Sequence, residues 1–216
     1  PYSTETLQHF TDYLKEEEII PANHPKVIEL KDKITSRISN PYLKAKAIYN
    51  YMINNFEILP DLRTAEADVT ELITEGKGDA YDFAMIFCAL TRSAKIPCIP
   101  ISGVYVDSNM EAHNHWWNEF YIEEFGWIPV DSAFGAGLEY ATSNQNEENK
   151  TFDFANLDSQ HVIFSRGWNK IKTSNINGKV VYRPKTYALQ SIWEEASTET
   201  QAYSSFWSNV YVTGIY

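Results

Sequence analysis

Three short stretches of this sequence hold residues whose types and spacing could do chemistry. The first is GKGDAYDFAMIF, residues 76–87. Gly76 and Gly78 break the preceding element, Asp79 is a good helix N-cap, and Asp82 sits three residues on, where a carboxylate can return a bond to the cap. Residue 80 then falls at the first helical position. There a side chain lies beside backbone N–H groups without intrahelical acceptors, at the positive end of the helix dipole. A cysteine there would have its thiolate favoured, and the same N–H groups could hold an oxyanion in acyl chemistry. The residue present is Ala80, which has no functional atom.

The second stretch is HNHWWNEFY, residues 113–121, and the third is GWIPVDSA, residues 126–133. On a strand, His115, Trp117 and Glu119 share one face. His115 could serve as base and acid toward a group at position 80, and Asp131 on a neighbouring strand could bind its other nitrogen and fix the tautomer. A buried, hydrogen-bonded His–Asp pair without catalytic duty would use the same two residues. His113 and His115 raise the question of a metal, but no third ligand has workable spacing, so neither metal nor cofactor is expected. His161, in DSQHVIF, reads as structural.

The elements that must position these groups follow from periodicity. The first third reads helical. Residues 3–20 open on Ser3 as a cap and carry Leu7, Phe10, Leu14 and Ile19 at helical spacing. Residues 24–39 place Val27, Leu30 and Ile34 on one side. Asn40 caps a third helix with Pro41 in its first turn and an apolar stripe of Leu43, Ala47, Ile48, Tyr51 and Met52. Residues 61–75 read as a loop with a short helix. In the helix after Asp79, Phe83, Ile86, Phe87, Leu90 and Ala94 form one stripe, and Pro97 ends it. Strands follow at CIPISGVYV, HWWNEFYIE and GWIPV, with Glu124-Phe125-Gly126 linking the last two as a hairpin. Residues 141–154 read as an ordered loop or lid. SQHVIFSRGW and KVVYRP read as further strands, with Asn177-Gly178 as a turn, and the last segment is ambiguous between helix and strand. Helices first and strands after give an α+β class with an antiparallel sheet.

Bulk properties narrow the function classes. At 216 residues and 44% hydrophobic residues, the chain is expected to be one domain over 1–216. That domain is helical to about residue 95 and β-rich from about 96 to 190, with an extension over 190–216. A net charge of −11 repels phosphate backbones, so nucleic acid is not an expected partner. Cys88 and Cys98 lie outside any zinc-type spacing and read as buried thiols. No apolar run is long enough to span a membrane. Pro1 in place of Met reads as a trimmed or mature start, and an acidic, Tyr- and Asn-rich chain fits a secreted or periplasmic protein, with the cytoplasm not excluded. With 14 Tyr and 6 Trp, an aromatic-lined cleft is expected, including Trp116, Trp117 and Trp127.

The three stretches, in this order, resemble the transglutaminase-like superfamily, the papain-like group of transglutaminases, bacterial transglutaminase-like proteases and peptide N-glycanases. GKGDAYDFAMIFCALTRSAKIPC resembles the nucleophile helix, with Arg92, Ile96 and Pro97 fitting its Arg-x-x-x-Ile-Pro ending. HWWNEFY is similar to the His-x-Trp-x-Glu block and GWIPVDSA to the Gly-Trp-x-x-x-Asp block. PYLKAKAIYNYMINNFEI and NLDSQHVIFSRGW also resemble segments of bacterial members, so the likeness covers about residues 40–168.

The resemblance implies a papain-like core with N-terminal helices and the nucleophile helix packed on an antiparallel sheet. It implies a Cys-His-Asp triad carried over as Ala80 for the nucleophile, His115 for the base and Asp131 for the orienting acid, with Trp117 and Glu119 supporting the histidine strand. Asp79 caps the helix, Trp116 neighbours the base, and Tyr51, Asn54 and Asn55 are candidates for an upstream oxyanion donor. The implied activity is thiol acyl transfer on a peptide or protein substrate, by a protease or amidase, with a glycan as an alternative ligand. Alanine at position 80 departs from the family pattern. It fits a Cys-to-Ala inactivated variant or a natural pseudoenzyme that binds peptide or glycan. A protein-crosslinking transglutaminase and a vestigial site in a larger surface protein are further alternatives.

Overall fold

The computed structural model describes residues 2–63, 68–140, 152–167, 178–182, 191–195 and 210–214. The first helix, α1 (Thr4–His9), is capped by the Ser3 hydroxyl and is followed by a single 3-10 turn, Thr11–Tyr13. The sequence reads as one helix to residue 20, and the break has a local cause. The Thr11 hydroxyl donates to the carbonyls of Leu7 and Gln8, and Phe10 packs its ring against Tyr121 and Trp127 instead of continuing the stripe.

Helices α2 (Pro25–Thr35) and α3 (Pro41–Asn55) each carry proline at the start and a capping side chain, His24 and Asn40. The buried face of α3 is Ala45, Ile48, Tyr49, Met52 and Ile53, and Leu43 is 52% exposed. This face is turned from the expected stripe because Tyr49 points inward to pack against Phe154. Strands β1 (Glu57–Ile58) and β2 (Lys77–Gly78) pair in parallel on either side of the short helix α4 (Glu71–Glu75).

Helix α5 (Ala80–Ser93) is the centre of the molecule, with every residue from Ala80 to Arg92 buried. One stripe therefore understates its burial: helices α2 and α3 and a sheet enclose it on several sides. Even Arg92 is buried, its charge met by Glu17 Oε2 at 3.1 Å and by the carbonyls of Cys98 and Lys15. An unpaired guanidinium would be costly there, so this set of partners pins the N-terminal segment onto α5.

The sheet comprises β3 (Cys98–Val106), β4 (Ala112–Ile122), β5 (Gly126–Val130) and β6 (His161–Arg166), in spatial order β5-β4-β3-β6 and all antiparallel. Glu124 and Gly126, both with positive φ, turn the β4–β5 hairpin. The four-residue helix α6 (Ser132–Gly135) follows β5. At Gly103 the β3–β6 register shifts, and a Cβ would lie 1.9 Å from the Val162 carbonyl oxygen, so only glycine lets β6 approach. Even-numbered residues of β4 face α5: Trp116 meets Tyr81, Asn118 Nδ2 donates to the Ala84 carbonyl at 2.9 Å, and Phe120 meets Phe87.

Strands β7 (Gly178–Tyr182) and β8 (Ser191–Glu195) form a separate antiparallel pair. Residues 141–151, Asn177 and most of the last segment fall outside the described residues, and with them most of the expected loop or lid over 141–154 and the first residue of the expected turn. Helices packed on an antiparallel sheet make the class α+β.

Candidate active site

Asp79 and Asp82 close a reciprocal cap at the start of α5. Asp79 Oδ1 accepts from the Asp82 N–H and Asp82 Oδ2 from the Asp79 N–H, both at 3.0 Å. The outer side of this cap is held by Arg63, which the sequence did not single out. Its backbone N–H donates to Asp79 Oδ2, its Nε to Asp82 Oδ2 and its Nη1 to Glu71 Oε2. The chain at residues 59–63 is thereby fixed across the helix start. Ala80 is N1 and only 3% exposed, and it opens on a cavity of about 290 Å³. Residues 59–62 form one wall, residues 112–114 another, and Leu138 and Tyr140 complete it. A larger cleft of about 930 Å³ lies among Lys15–Glu18, Pro21, Asn23 and His24, but it contains none of the chemical groups picked from the sequence.

His115 is fully buried on β4. Its ring stacks on Phe134 at 4.6 Å, and Trp117 lies beyond at 5.9 Å. Its Nε2 meets Asp131 Oδ2 at 2.5 Å and its Nδ1 meets the Tyr140 hydroxyl at 3.0 Å. Asp131 caps α6, and its Oδ1 accepts from the Ala133 and Phe134 N–H groups. Burial alone would raise its carboxyl, but His115 and His161 outweigh burial and hold it well below the usual carboxylate range. An ionised carboxylate only accepts, so Nε2 of His115 carries a proton. The Tyr140 hydroxyl, beside Nδ1, also donates to the Asn114 carbonyl at 3.3 Å. Burial, then the Asp131 and Asp79 charges, raise the Tyr140 phenol, so it keeps its proton.

His161, read as structural from the sequence, belongs to this cluster. Its Nε2 lies 3.2 Å from Asp131 Oδ2 and its Nδ1 2.9 Å from Asp158 Oδ1. Burial would lower it, but Asp131 and Asp158 prevail and raise it to about 9. The Asp158-x-x-His161 spacing was the available signal. Tyr140 gave none, since a loop rather than a motif brings it in. It lines the cavity with Ala80 and also bonds His115, and its ring stacks on His113 at 4.3 Å.

Other expected residues lie elsewhere. Tyr51 and Asn55 sit on α3, where Asn55 Nδ2 donates to the Tyr51 carbonyl and the Tyr51 hydroxyl is 3.3 Å from Lys33 Nζ. Asn54 bonds the Asn50 carbonyl of its own helix, and none of the three lines the cavity at Ala80. Glu119 forms a two-pronged ion pair with Arg166 of β6. Trp116 and Trp117 are buried, and Trp127 packs on Phe10, Tyr13 and Tyr121, so these indoles line no cleft at Ala80. The expected aromatic groove shrinks there to His113 and Tyr140. Metal-capable atoms of His115, Asp131 and His161 lie within 4.8 Å of one another, as do those of Asp107, Glu111 and His113. In the first set, the hydrogen bonds among the rings and carboxylates already account for the arrangement.

Residues 28–132 match the family model of the transglutaminase-like superfamily, and this core is similar to that superfamily. The match includes Ala80, His115 and Asp131 and stops before Tyr140 and His161. An uncharacterized protein of Haemophilus influenzae is 30% identical over 168 residues, which are 64% of this chain and 46% of that protein. The chain thus spans about half the length of that relative. A solved structure named as a putative cysteine protease, from Cytophaga hutchinsonii, is 26% identical with a TM-score of 0.50, covering 58% of this chain and 42% of that one. The periplasmic domain of TgpA from Pseudomonas aeruginosa aligns at 19% identity and a TM-score of 0.49, over 59% and 47% of the two chains.

Proposed function

We propose that this domain is built for thiol acyl transfer on a peptide or amide substrate, with position 80 as the nucleophile site, here held by alanine. The observation that carries the reading is the polarity of His115. One nitrogen is taken by Asp131, and the other is directed at Tyr140, which lines the same cavity as Ala80. With cysteine at position 80, His115 Nδ1 takes the thiol proton, the sulfur attacks a carbonyl and the N–H groups at the start of α5 take the oxyanion. His115 then passes that proton from Nδ1 to the leaving amine, the C–N bond breaks to leave a thioester, and Asp131 holds the ring at Nε2 throughout. Tyr140 must release His115 Nδ1 for this pair to form. Water then completes hydrolysis, and an amine in its place would complete crosslinking. The expected location, secreted or periplasmic, rests on composition alone.

The test is Ala80→Cys, with iodoacetamide labelling and peptide hydrolysis measured against Ala80→Cys/His115→Ala. Labelling and turnover that depend on His115 support the reading, and equal labelling in both variants refutes it. A peptide-binding pseudoenzyme is the second reading. It is favoured by Ala80 itself and by the hydroxyl already seated on His115. Tight peptide binding by the unaltered chain, with an inert thiol in Ala80→Cys, would establish it.

A further inference from the structure

The buried ring of His161 has no place in a three-residue triad, yet both of its nitrogens are engaged by carboxylates. Nε2 lies 3.2 Å from Asp131 Oδ2 and Nδ1 lies 2.9 Å from Asp158 Oδ1, with the side chain 3% exposed. A neutral imidazole has one N–H and one lone pair, and a lone pair cannot face an ionised carboxylate without repulsion. Two carboxylate partners therefore require two N–H groups, and the ring is an imidazolium. Its orientation is fixed by Trp117 at 5.0 Å, Tyr105 at 5.3 Å and Phe134 at 5.5 Å.

We infer that His161 is a positioning residue of this site, a buried cation that clamps Asp131 and limits how firmly that carboxylate holds a proton on His115. The inference rests on the proposed roles of His115 and Asp131. Its geometric basis is a single oxygen, Asp131 Oδ2, which meets Nε2 of both rings. The two ring centres are 5.6 Å apart. A second positive charge on His115 is opposed across that gap. An orienting carboxylate left alone would favour the imidazolium and make it a reluctant acid. Sharing the carboxylate with a standing cation makes His115 readier to pass its proton to a leaving amine.

The titratable groups around His161 come from several elements. Asp131 stands at the start of α6, Asp158 and Asp153 in the segment before β6, His115 on β4 and Tyr105 on β3. Burial, then the Asp131 charge, push Asp153 up to about 7, so it is part-neutral where the site would work. The value of about 9 for His161 agrees with the two-carboxylate geometry.

The experiment has two arms. In the chain as it stands, nitrogen-resolved NMR of the histidine rings should show two N–H groups on His161 persisting to about pH 9, and Asp158→Asn should lower that midpoint by about one unit or more. One N–H at neutral pH, or a midpoint near the ordinary histidine value, overturns the inference. In Ala80→Cys, the acid limb of iodoacetamide reactivity against pH should move up by about one unit when His161→Gln is added. Gln keeps a donor for Asp131 and removes the charge. An unmoved limb reduces His161 to a structural pin and also overturns the inference. Where His161→Gln does not fold, His161→Asn, which also removes the charge, serves in the same profile, with a shift in the same direction. A thiol that is inert in both backgrounds refutes the proposed function and the role that rests on it. A reactive thiol with an unmoved limb refutes His161's role alone.

Discussion

Raising the pH from about 7 to about 9 brings His161 to about half discharge inside the folded protein, and the stability of the chain should register it. The unfolded ring titrates at 6.5 and the folded one at about 9, because Asp131 and Asp158 outweigh the burial that would lower it. The folded value is the higher one, so the contribution is fully present below about 6.5 and is lost as pH rises through about 9. A shift of this size corresponds to roughly 3 kcal/mol in all, of which roughly 2 kcal/mol disappears between about pH 7 and 9. The depressed Asp131 carboxyl is the other side of the same ion pair and adds nothing further. Asp153, up at about 7, also favours the native state at low pH, but its loss is largely complete by the middle of the window. Cys98, raised by burial first and then by Cys88, begins to count only above the ordinary thiol value of 9. Urea denaturation at half-unit steps should therefore show a falling curve for the unaltered chain and a nearly flat one for His161→Gln from about pH 7.5 to 9. Parallel curves would refute both the charge on His161 and the geometry that demands it.

Three further outcomes are expected. Gly103→Ala should cost about 2 kcal/mol or more in denaturant unfolding, since its Cβ would press on the Val162 carbonyl and push β6 away. The same change should weaken the His161–Asp131 contact, read as a lower His161 midpoint by NMR. Asn118→Ala should cost about 1–3 kcal/mol, because it removes a buried bond to the Ala84 carbonyl and opens space between β4 and α5. In Ala80→Cys, adding Tyr140→Phe should raise the iodoacetamide rate about two- to tenfold, the worth of one neutral hydrogen bond on His115 Nδ1. An unchanged rate would mean that Tyr140 does not hold the base.

The parts of the site written in local sequence were legible. Asp79 and Asp82 declared a cap before α5, and the structure closes the reciprocal pair. The alternation around His115 and the glycine turn before Trp127 declared adjacent strands, which places Asp131 beside His115. What the sequence hid depends on tertiary contacts. Phe10 and Thr11 fit a helical stripe until the rings of Tyr121 and Trp127 compete for Phe10. Tyr51 and Asn55 follow the helix before the nucleophile position, but their side chains bond within α3 or face Lys33. Arg63 joins Glu71 to the Asp79–Asp82 cap, and no spacing rule links Arg63 or Glu71 to that cap. His161 and Tyr140 reach His115 or its aspartate from segments whose own patterns read as strand and loop.

The central claim is that position 80 is a nucleophile site served by His115. The most direct measurement is the rate of iodoacetamide labelling of Ala80→Cys near neutral pH, with and without His115→Ala. Cys88 and Cys98 are buried and give the background in the unaltered chain. The account predicts labelling well above that background, and a loss of at least about tenfold when His115 is removed. Labelling at the rate of an ordinary exposed thiol, indifferent to His115, would contradict it.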